Sequence, residues 1–296
     1  MLKHLALALS LFTANLMSGA LAADKFDPDA FEASLKYQQG KISLQHGLAT
    51  LNLPSNFRYL GPDDAERVLH DAWGNPPSEK TLGMIVPAEG GVLGDESWGV
   101  VVTYEEEGHV EDKDADTINY TKLLKQMKEE SDEDDAERKK QGYAAMALVG
   151  WAEPPSYDKA SHKLYWAKEF KPEGASENSL NYNIRVLGRK GVLVLNAVAN
   201  MSQLNKVRTE MRQVTAFSDF DSGHRYVDFD SKLDKTAGYG LAALVAGGAA
   251  AKLGLFGKLF ALLLAFKKLL VLGIGAVGVF ITKLFRGKGD KVNLDK

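Results

Sequence analysis

The sequence predicts an α+β protein: an antiparallel sheet flanked by helices, preceded by a secretory leader and followed by a C-terminal transmembrane helical segment. Three observations predict this class. The N-terminus is an apolar run, the middle alternates apolar and polar residues in short segments separated by Pro and Gly, and the C-terminus is a long apolar stretch. With 45% hydrophobic and 25% charged residues among 296, the composition is that of a folded protein and excludes a disordered or collagen-like chain.

The N-terminal segment has the pattern of a secretory signal peptide. Lys3 precedes an apolar run over residues 5–17, and the small residues Ala20 and Ala22 follow it. This pattern predicts cleavage after Ala22, so that residues 1–22 are removed; an uncleaved N-terminal anchor is the alternative. The chain has no cysteine, which excludes disulfides, thiolate metal sites and lipid attachment through a thiol.

Residues 23–235 form the predicted exported domain. Period-two alternation over residues 40–45 and 48–53 predicts a β-hairpin. Six further strands are predicted at residues 82–86, 97–104, 144–151, 163–170, 180–187 and 191–199, and helices at 62–72, 117–140 and 202–217. The Pro-Pro pair at 154–155 predicts a turn between two of these strands. This order of elements resembles the antiparallel α/β/α sandwich of proteins such as the photosystem accessory protein PsbP.

The C-terminal stretch predicts a membrane anchor over residues 236–286, followed by a polar tail at 287–296. Residues 237–257 are long enough to span a bilayer, and residues 269–285 supply a second, shorter span. The pair Lys267-Lys268 between them is unfavourable inside a membrane, so we expect it at an interface or in a loop. A helical hairpin would place this pair in the cytoplasm, as the positive-inside rule prefers; a single span with a basic amphipathic tail is the competing topology. A buried pair of core helices is the least favoured alternative.

Charge is divided unevenly along the chain. The formal net charge is −3, but the predicted exported domain is acidic while the C-terminal tail is basic. A nucleic-acid-binding protein carries its basic surface on the folded domain, so nucleic acid is excluded as a partner and the membrane is predicted as one. Leader and anchor together predict a protein of the inner membrane with its main domain in the periplasm.

Several motifs together resemble one bacterial family. They are Gly74-Asn75-Pro76 after Trp73, Gly150-Trp151-Ala152-Glu153-Pro154-Pro155, Leu164-Tyr165-Trp166-Ala167-Lys168, Leu180-Asn181-Tyr182-Asn183-Ile184-Arg185 and Ala237-Gly238-Tyr239-Gly240. Over nearly the whole mature chain, the sequence resembles the bacterial predicted membrane-anchored proteins classed as domain of unknown function 2167. The resemblance implies an exported domain with a C-terminal membrane anchor and implies no activity. His109 departs from the pattern, because an aromatic residue is expected there.

Two acidic segments invite a metal interpretation. Residues 111–116 alternate oxygen-bearing side chains, as calcium loops do, but Thr117 and Leu123 stand where an EF-hand needs Gly and Glu. The simpler interpretation is a solvated turn in which Asp116 or Thr117 caps the next helix. The acidic run at 129–137 is typical of a solvated helix end. No zinc-protease or serine-hydrolase motif is present in the sequence, so no metal and no cofactor is predicted.

The aromatic residues near Pro-rich segments are the best candidate binding site. Rigid turns beside aromatic rings can form a groove that stacks a sugar or holds a peptide, although a Trp-rich core would give the same pattern. The candidate ligand-binding residues are Trp73, Asn75, Trp151, Glu153, Tyr157, Asp158, Trp166 and Arg185. Among these, Arg185 is expected to pair with Glu153 or Asp158.

These observations favour a membrane-anchored periplasmic domain that acts as a non-enzymatic binding or assembly protein of the cell envelope, with an envelope protein or a glycan as its partner. The alternative is a carboxylate-dependent hydrolase or carbohydrate-active enzyme with an aromatic-lined cleft, using Glu153 or Asp158. Two carboxyl groups in one aromatic cleft would favour the enzyme, and a filled sandwich with a surface groove would favour the binding protein.

Overall fold

The computed structural model describes residues 26–75, 81–94, 96–140 and 142–247. The chain divides into two compact units, Met1–Gly248 and Ala249–Lys296, and the described residues belong to the first. The predicted leader and the predicted anchor beyond residue 247 lie outside the described residues. Within the described ranges, no helix is long and apolar enough to cross a membrane.

Antiparallel strands form two sheets. The large sheet has the order β1-β4-β5-β6-β10-β9-β8-β7, and the small sheet has the order β11-β3-β2. The strands are β1 (Tyr37–Gln38), β2 (Gly40–Leu44), β3 (Ala49–Leu53), β4 (Phe57–Leu60), β5 (Gly83–Pro87), β6 (Gly99–Glu105), β7 (Met146–Asp158), β8 (Lys163–Pro172), β9 (Ser179–Leu187), β10 (Val192–Asn200) and β11 (Ser218–Phe220). The helices are α1 (Pro28–Ser34), α2 (Pro62–Arg67), which continues as a π turn at Val68–Ala72, α3 (Tyr120–Lys140), α4 (Leu204–Phe217) and α5 (Leu241–Ala246). The predicted antiparallel sheet flanked by helices is confirmed.

The two faces of the large sheet are covered by different elements. The amphipathic helix α4 packs Val207, Met211 and Val214 onto one face, where the small sheet completes the largest apolar cluster. The other face carries two smaller apolar clusters, one under α3 and α5 and one beside α1 and α2. Strand β9 lies between both layers, and all nine of its residues are buried. Strand β9 is therefore shielded from solvent on both faces, whereas its neighbours β8 and β10 leave Lys168 and Asn196 partly exposed.

The predicted turn at 154–155 is wrong. Strand β7 continues through both prolines, with register shifts between Trp151 and Glu153 and between Glu153 and Ser156. Proline has no N–H to donate to a neighbouring strand, but β7 is the edge strand of the sheet and needs no partner on its outer side. The bulges absorb the mismatch, so the motif bends an edge strand instead of ending it.

The start of α3 also differs from the prediction. The side chain of Asn119 accepts a hydrogen bond from the N–H of Lys122 (2.9 Å), so Asn119, and not Asp116 or Thr117, provides the N-terminal cap. In the acidic part of α3, Asp135 accepts a bond from the backbone N–H of Met146 (2.6 Å). The end of α3 is thus joined to β7, and one carboxylate of the predicted solvated run has a structural partner.

The first residues of the predicted anchor belong to the globular unit. Leu241, Leu244 and Val245 of α5 are buried in the apolar cluster under α3. The carboxylate of Asp114 accepts bonds from the N–H groups of Leu241 (3.1 Å) and Ala242 (3.2 Å) and so caps α5. The globular body therefore extends beyond the predicted boundary at residue 235. The acidic loop at residues 111–116 uses Asp114 to cap α5.

His109 takes the place of an aromatic residue in this region. Its ring stacks on Phe229 at 4.0 Å between centroids and lies 4.2 Å from the ring of Tyr226. His162 stacks on Tyr226 at 4.0 Å, so the four rings form one ladder. The imidazole of His109 is buried and makes the same stacking contacts that an aromatic residue would make.

Candidate functional site

The structure separates Trp73 and Asn75 from the other predicted site residues. Trp73 packs in the apolar cluster beside α2, and its indole N–H donates to the carbonyl of Val92 (2.8 Å). Asn75 is buried, and its backbone N–H donates to the carbonyl of Leu69 (2.9 Å). Trp73 therefore packs as the alternative of a Trp-rich core predicts, whereas the side-chain oxygen of Asn75 has no hydrogen-bond partner among the described residues.

Trp151 and Glu153 lie on opposite faces of the large sheet. Trp151 is opposite Lys168 on β8 and packs with the α3 cluster, whereas Glu153 is opposite Ala167. The carboxylate of Glu153 accepts a bond from Arg208 of α4 (2.8 Å). The bulge between the two residues explains this separation, because it shifts the alternation of side chains along β7.

Tyr157 and Asp158 lie near the turn between β7 and β8. The hydroxyl of Tyr157 donates to Asp112 (2.7 Å), and a second contact joins it to His162 at 3.2 Å. Asp158 accepts bonds from the hydroxyl of Ser161 and from a backbone N–H of the turn, and these bonds lower the pKa of the Asp158 carboxyl. Asp158 therefore stabilises a turn at the surface.

The predicted ion pair of Arg185 with Glu153 or Asp158 is wrong. Each of those two carboxylates is engaged elsewhere. The guanidinium of Arg185 lies 5.1 Å from the centroid of the Trp166 ring, and its Nη1 donates to the side-chain oxygen of Asn183 (3.3 Å). Of the predicted site residues, the structure thus brings Trp166 and Arg185 together, on the face of the sheet that α3 and α5 cover.

Trp166 and Arg185 belong to a set of six residues, and the other four were not predicted as site residues. Because opposed residues of antiparallel strands point to the same face, the register places all of their side chains on one side of the sheet. We call this set the polar row: Trp166 and Lys168 of β8, Asn181, Asn183 and Arg185 of β9, and Asn196 of β10. Four of the six are more than nine-tenths buried, while Lys168 and Asn196 are partly exposed.

Hydrogen bonds link the polar row in one direction. Arg185 donates to Asn183, whose amide nitrogen donates to the side-chain oxygen of Asn181 (2.7 Å). The amide nitrogen of Asn181 then donates to the side-chain oxygen of Asn196 (2.7 Å). Guanidinium groups donate and never accept, so Arg185 sets the orientation of all three amides.

The two cations of the polar row have no acid of their own. Within the described part of the chain, neither Lys168 nor Arg185 has a carboxylate at ion-pair distance. Burial and, to a smaller extent, the positive charge of Arg185 together lower the pKa of Lys168 to about 8. Burial also lowers the pKa of Arg185, and this effect is opposed by the more distant charge of Glu105 on β6.

A sequence signal for this site existed in β9. Asn181, Asn183 and Arg185 alternate with apolar residues, which by itself predicts a strand with one solvated face. Only the placement of β9 between β8 and β10 shows that this polar face is buried. Lys168 carried no such signal, because lysines are frequent on exposed strands.

The acidic loop considered for calcium uses its oxygens within the protein. Asp112 accepts from Tyr157, and Asp114 caps α5. Among the residues that the structure describes, no group of three or more His, Asp or Glu side chains could hold a metal ion.

A family model described as protein of unknown function, DUF2167, matches residues 36–278. The chain belongs to the DUF2167 family. A solution structure of cyanobacterial PsbP (CyanoP) from Synechocystis is similar to this DUF2167 chain with a TM-score of 0.35 and 10% sequence identity, covering 62% of this chain and 92% of that one. At this TM-score the likeness does not bear on function. A search of curated proteins found no match to this DUF2167 chain.

Proposed function

We propose that this DUF2167 chain is a non-enzymatic binding domain of the bacterial envelope, and that its binding site is the polar row around Lys168 and Arg185. The apolar leader and the C-terminal apolar stretch support a location in the periplasm, with an anchor in the inner membrane. A partner from the envelope, either a protein or a glycan, would reach the site from the side where Lys168 and Asn196 are partly exposed.

The observation that carries this proposal is that two cations, Lys168 and Arg185, have no carboxylate at ion-pair distance among the residues that the structure describes. Two positive charges on one buried face oppose each other and lose hydration, so they destabilise the fold unless something compensates them. Proteins keep such unfavourable groups mainly at functional sites, where stability is lost in exchange for binding. A domain that only needed a core at this position would carry apolar residues instead.

The contacts of the carboxylates give less support to the alternative of a carboxylate-dependent enzyme. That mechanism needs two carboxyl groups facing one cleft, one of which must give or take a proton. Glu153 pairs with Arg208 on the α4 face, and Asp158 is bonded within a surface turn. The carboxylates of Glu153 and Asp158 therefore do not face one aromatic cleft together.

The proposal is tested by the stability of Lys168→Met in the full-length protein, measured by thermal unfolding in detergent. If Lys168 is kept for binding, its replacement should raise the free energy of unfolding by about 1 kcal/mol, or the Tm by about 2–4 °C. Lys171→Met, which changes an exposed lysine of the same strand, is the matched control and should change stability by less than about 0.5 kcal/mol. A clear loss of stability in Lys168→Met would mean that Lys168 is structural and would overturn the proposal.

A further inference from the structure

The geometry points to a ligand that carries an oxyanion, a carboxylate or phosphate group bound between Lys168 and Arg185 with the indole N–H of Trp166 as a third donor. This inference rests on the proposed function, since it names the chemical class that the polar row would bind. It is carried by the donors and acceptors of the row, by a buried indole N–H that has no partner in the described part of the chain, and by the arrangement of charge around it.

Within the polar row, every asparagine side-chain oxygen is already engaged as an acceptor, and donors outnumber acceptors. The side-chain oxygen of each asparagine already accepts a bond from a neighbour: Asn183 from Arg185, Asn181 from Asn183, and Asn196 from Asn181. The chain of bonds therefore begins at a guanidinium and ends at the amide nitrogen of Asn196, which is again a donor. Lys168 adds an ammonium group, which has donors alone. A ligand that binds here must bring the acceptors.

Trp166 gives independent evidence for a missing acceptor. Its side chain is 1% exposed, and its indole nitrogen has no hydrogen-bond partner among the described residues. Buried polar atoms are nearly always bonded, so an orphaned N–H beside a guanidinium marks a place where an acceptor fits. The ring itself lies against Arg185 and fixes the orientation of both groups.

The charged groups around the polar row indicate the charge of the ligand and the end of the row at which it would bind. On the same face, the charged and titratable groups near Arg185 are Glu105 of β6 and Tyr239, which precedes α5; Trp151 of β7 is opposite Lys168 and is neutral. Glu105 lies toward one end of the row, so an added anion is repelled least at the other end, beside Lys168. A neutral sugar would leave both cations uncompensated, and a cation would be repelled. Among glycans, therefore, only an acidic one fits.

The test is isothermal titration of the full-length protein in detergent with two probes, inorganic phosphate and succinate, at pH 7 and pH 9. Saturable binding of either probe supports the inference, and preference for one of them identifies the group. We expect Lys168→Met to lose at least tenfold in affinity and Trp166→Phe, which keeps the ring and removes the N–H, to lose a few-fold. Lys171→Met should bind like the unchanged protein.

The pH dependence provides a sharper readout. Because the pKa of Lys168 is lowered to about 8, affinity should fall about tenfold from pH 7 to pH 9, with proton uptake on binding near pH 8. Lys168→Arg keeps the charge at both pH values, so it should bind with little dependence on pH and without that proton uptake. The ionisation of phosphate changes with pH in the same way in both titrations. The difference between the two proteins therefore isolates the contribution of Lys168.

Failure of the inference can be told apart from failure of the proposed function. If neither probe binds while Lys168→Met is more stable than the unchanged protein, the oxyanion inference is overturned and the binding domain remains supported. If Lys168→Met is less stable, the proposed function itself fails. Binding that is identical in Lys168→Met and in the unchanged protein would place the anion elsewhere and would also overturn the inference.

Discussion

Two of the three lysines of β8, Lys163 and Lys168, lie on opposite faces of the large sheet and differ in their partners. On the α4 face, Lys163 is 4% exposed, and its ammonium donates to the carbonyls of Thr215 (2.8 Å) and Ser218 (3.1 Å) and pairs with Asp219 at 3.1 Å. It thereby satisfies carbonyl groups at the C-terminal end of α4. On the other face, Lys168 has no carbonyl or carboxylate partner among the described residues, and its ammonium lies 5.6 Å from the centroid of the Phe170 ring.

The partners of a buried charged side chain indicate whether it stabilises the fold or serves another purpose. The α4 face solves the problem of burying a charge within the chain, as the pair of Glu153 with Arg208 also does. On the face covered by α3 and α5, no carboxylate among the described residues compensates the charges of Lys168 and Arg185 in this way. Lys163 is buried and Lys168 is partly exposed, but both are lysines of the same strand, and the clearest difference between them is in their hydrogen-bond and ion-pair partners.

The largest expected effect concerns the elements that cover the polar row. A chain truncated after Lys235 lacks Leu241, Leu244 and Val245, which are buried against α3, whereas a chain truncated after Gly247 retains them. Burial of three such side chains contributes about 5 kcal/mol, so the shorter chain should be far less stable or unfolded. Chemical denaturation of the two truncated chains would measure this. Equal stability would show that α5 is not part of the core.

A smaller loss is expected for Lys163→Met. The variant leaves two carbonyl groups at the end of α4 without their donor, and we expect a loss of about 2 kcal/mol in the free energy of unfolding. The pair with Asp219 adds little, because that carboxylate is mostly exposed. Denaturant unfolding would check the value. The comparison with Lys168→Met is the essential one: if both lysine variants change stability in the same direction, the contrast between the two faces is lost.

The smallest expected effect is a dependence of stability on pH. The pKa of Lys168 is lowered to about 8 in the folded protein and returns to its ordinary value of about 10.4 in the unfolded chain. Between these two values the unfolded chain binds more protons, so Lys168 contributes a gain in stability as pH rises through 8. The Tm advantage of Lys168→Met should therefore shrink between pH 7 and pH 9.5. A constant difference across this range would mean that the pKa of Lys168 is not lowered.

The predictions from sequence were best where local patterns decide structure. The hairpin of β2 and β3 lies where period-two alternation placed it, and α4 lies where the spacing of Val207, Met211 and Val214 placed it. Both signals come from side chains that share a face within one element. The proline motif in β7 was misjudged because its acceptability depends on β7 being an edge strand, and strand order is not local information.

The candidate site divides in the same way. Residue type alone was enough to predict Trp166 and Arg185 as site residues. The prediction from sequence paired Arg185 with the wrong carboxylates, and it did not include Lys168 or the three asparagines. Alternation along β9 indicates which residues share a face of that strand. It does not indicate which strands lie beside it or whether that face is buried, since both depend on packing between elements distant in the chain.

By itself, the sequence determined the class of the protein: the period-two segments and amphipathic helices of an antiparallel α+β domain, and the family motifs that extend over most of the chain. Tertiary structure alone decided that α5 belongs to the core, that Glu153 faces away from Trp151, and that Lys168 and Arg185 share one face of the sheet with no carboxylate at ion-pair distance among the described residues. The physical reason is the separation along the chain of the residues that interact. Propensity and periodicity act between residues a few positions apart, whereas the compensation of a buried charge depends on strands that meet only when the sheet has formed.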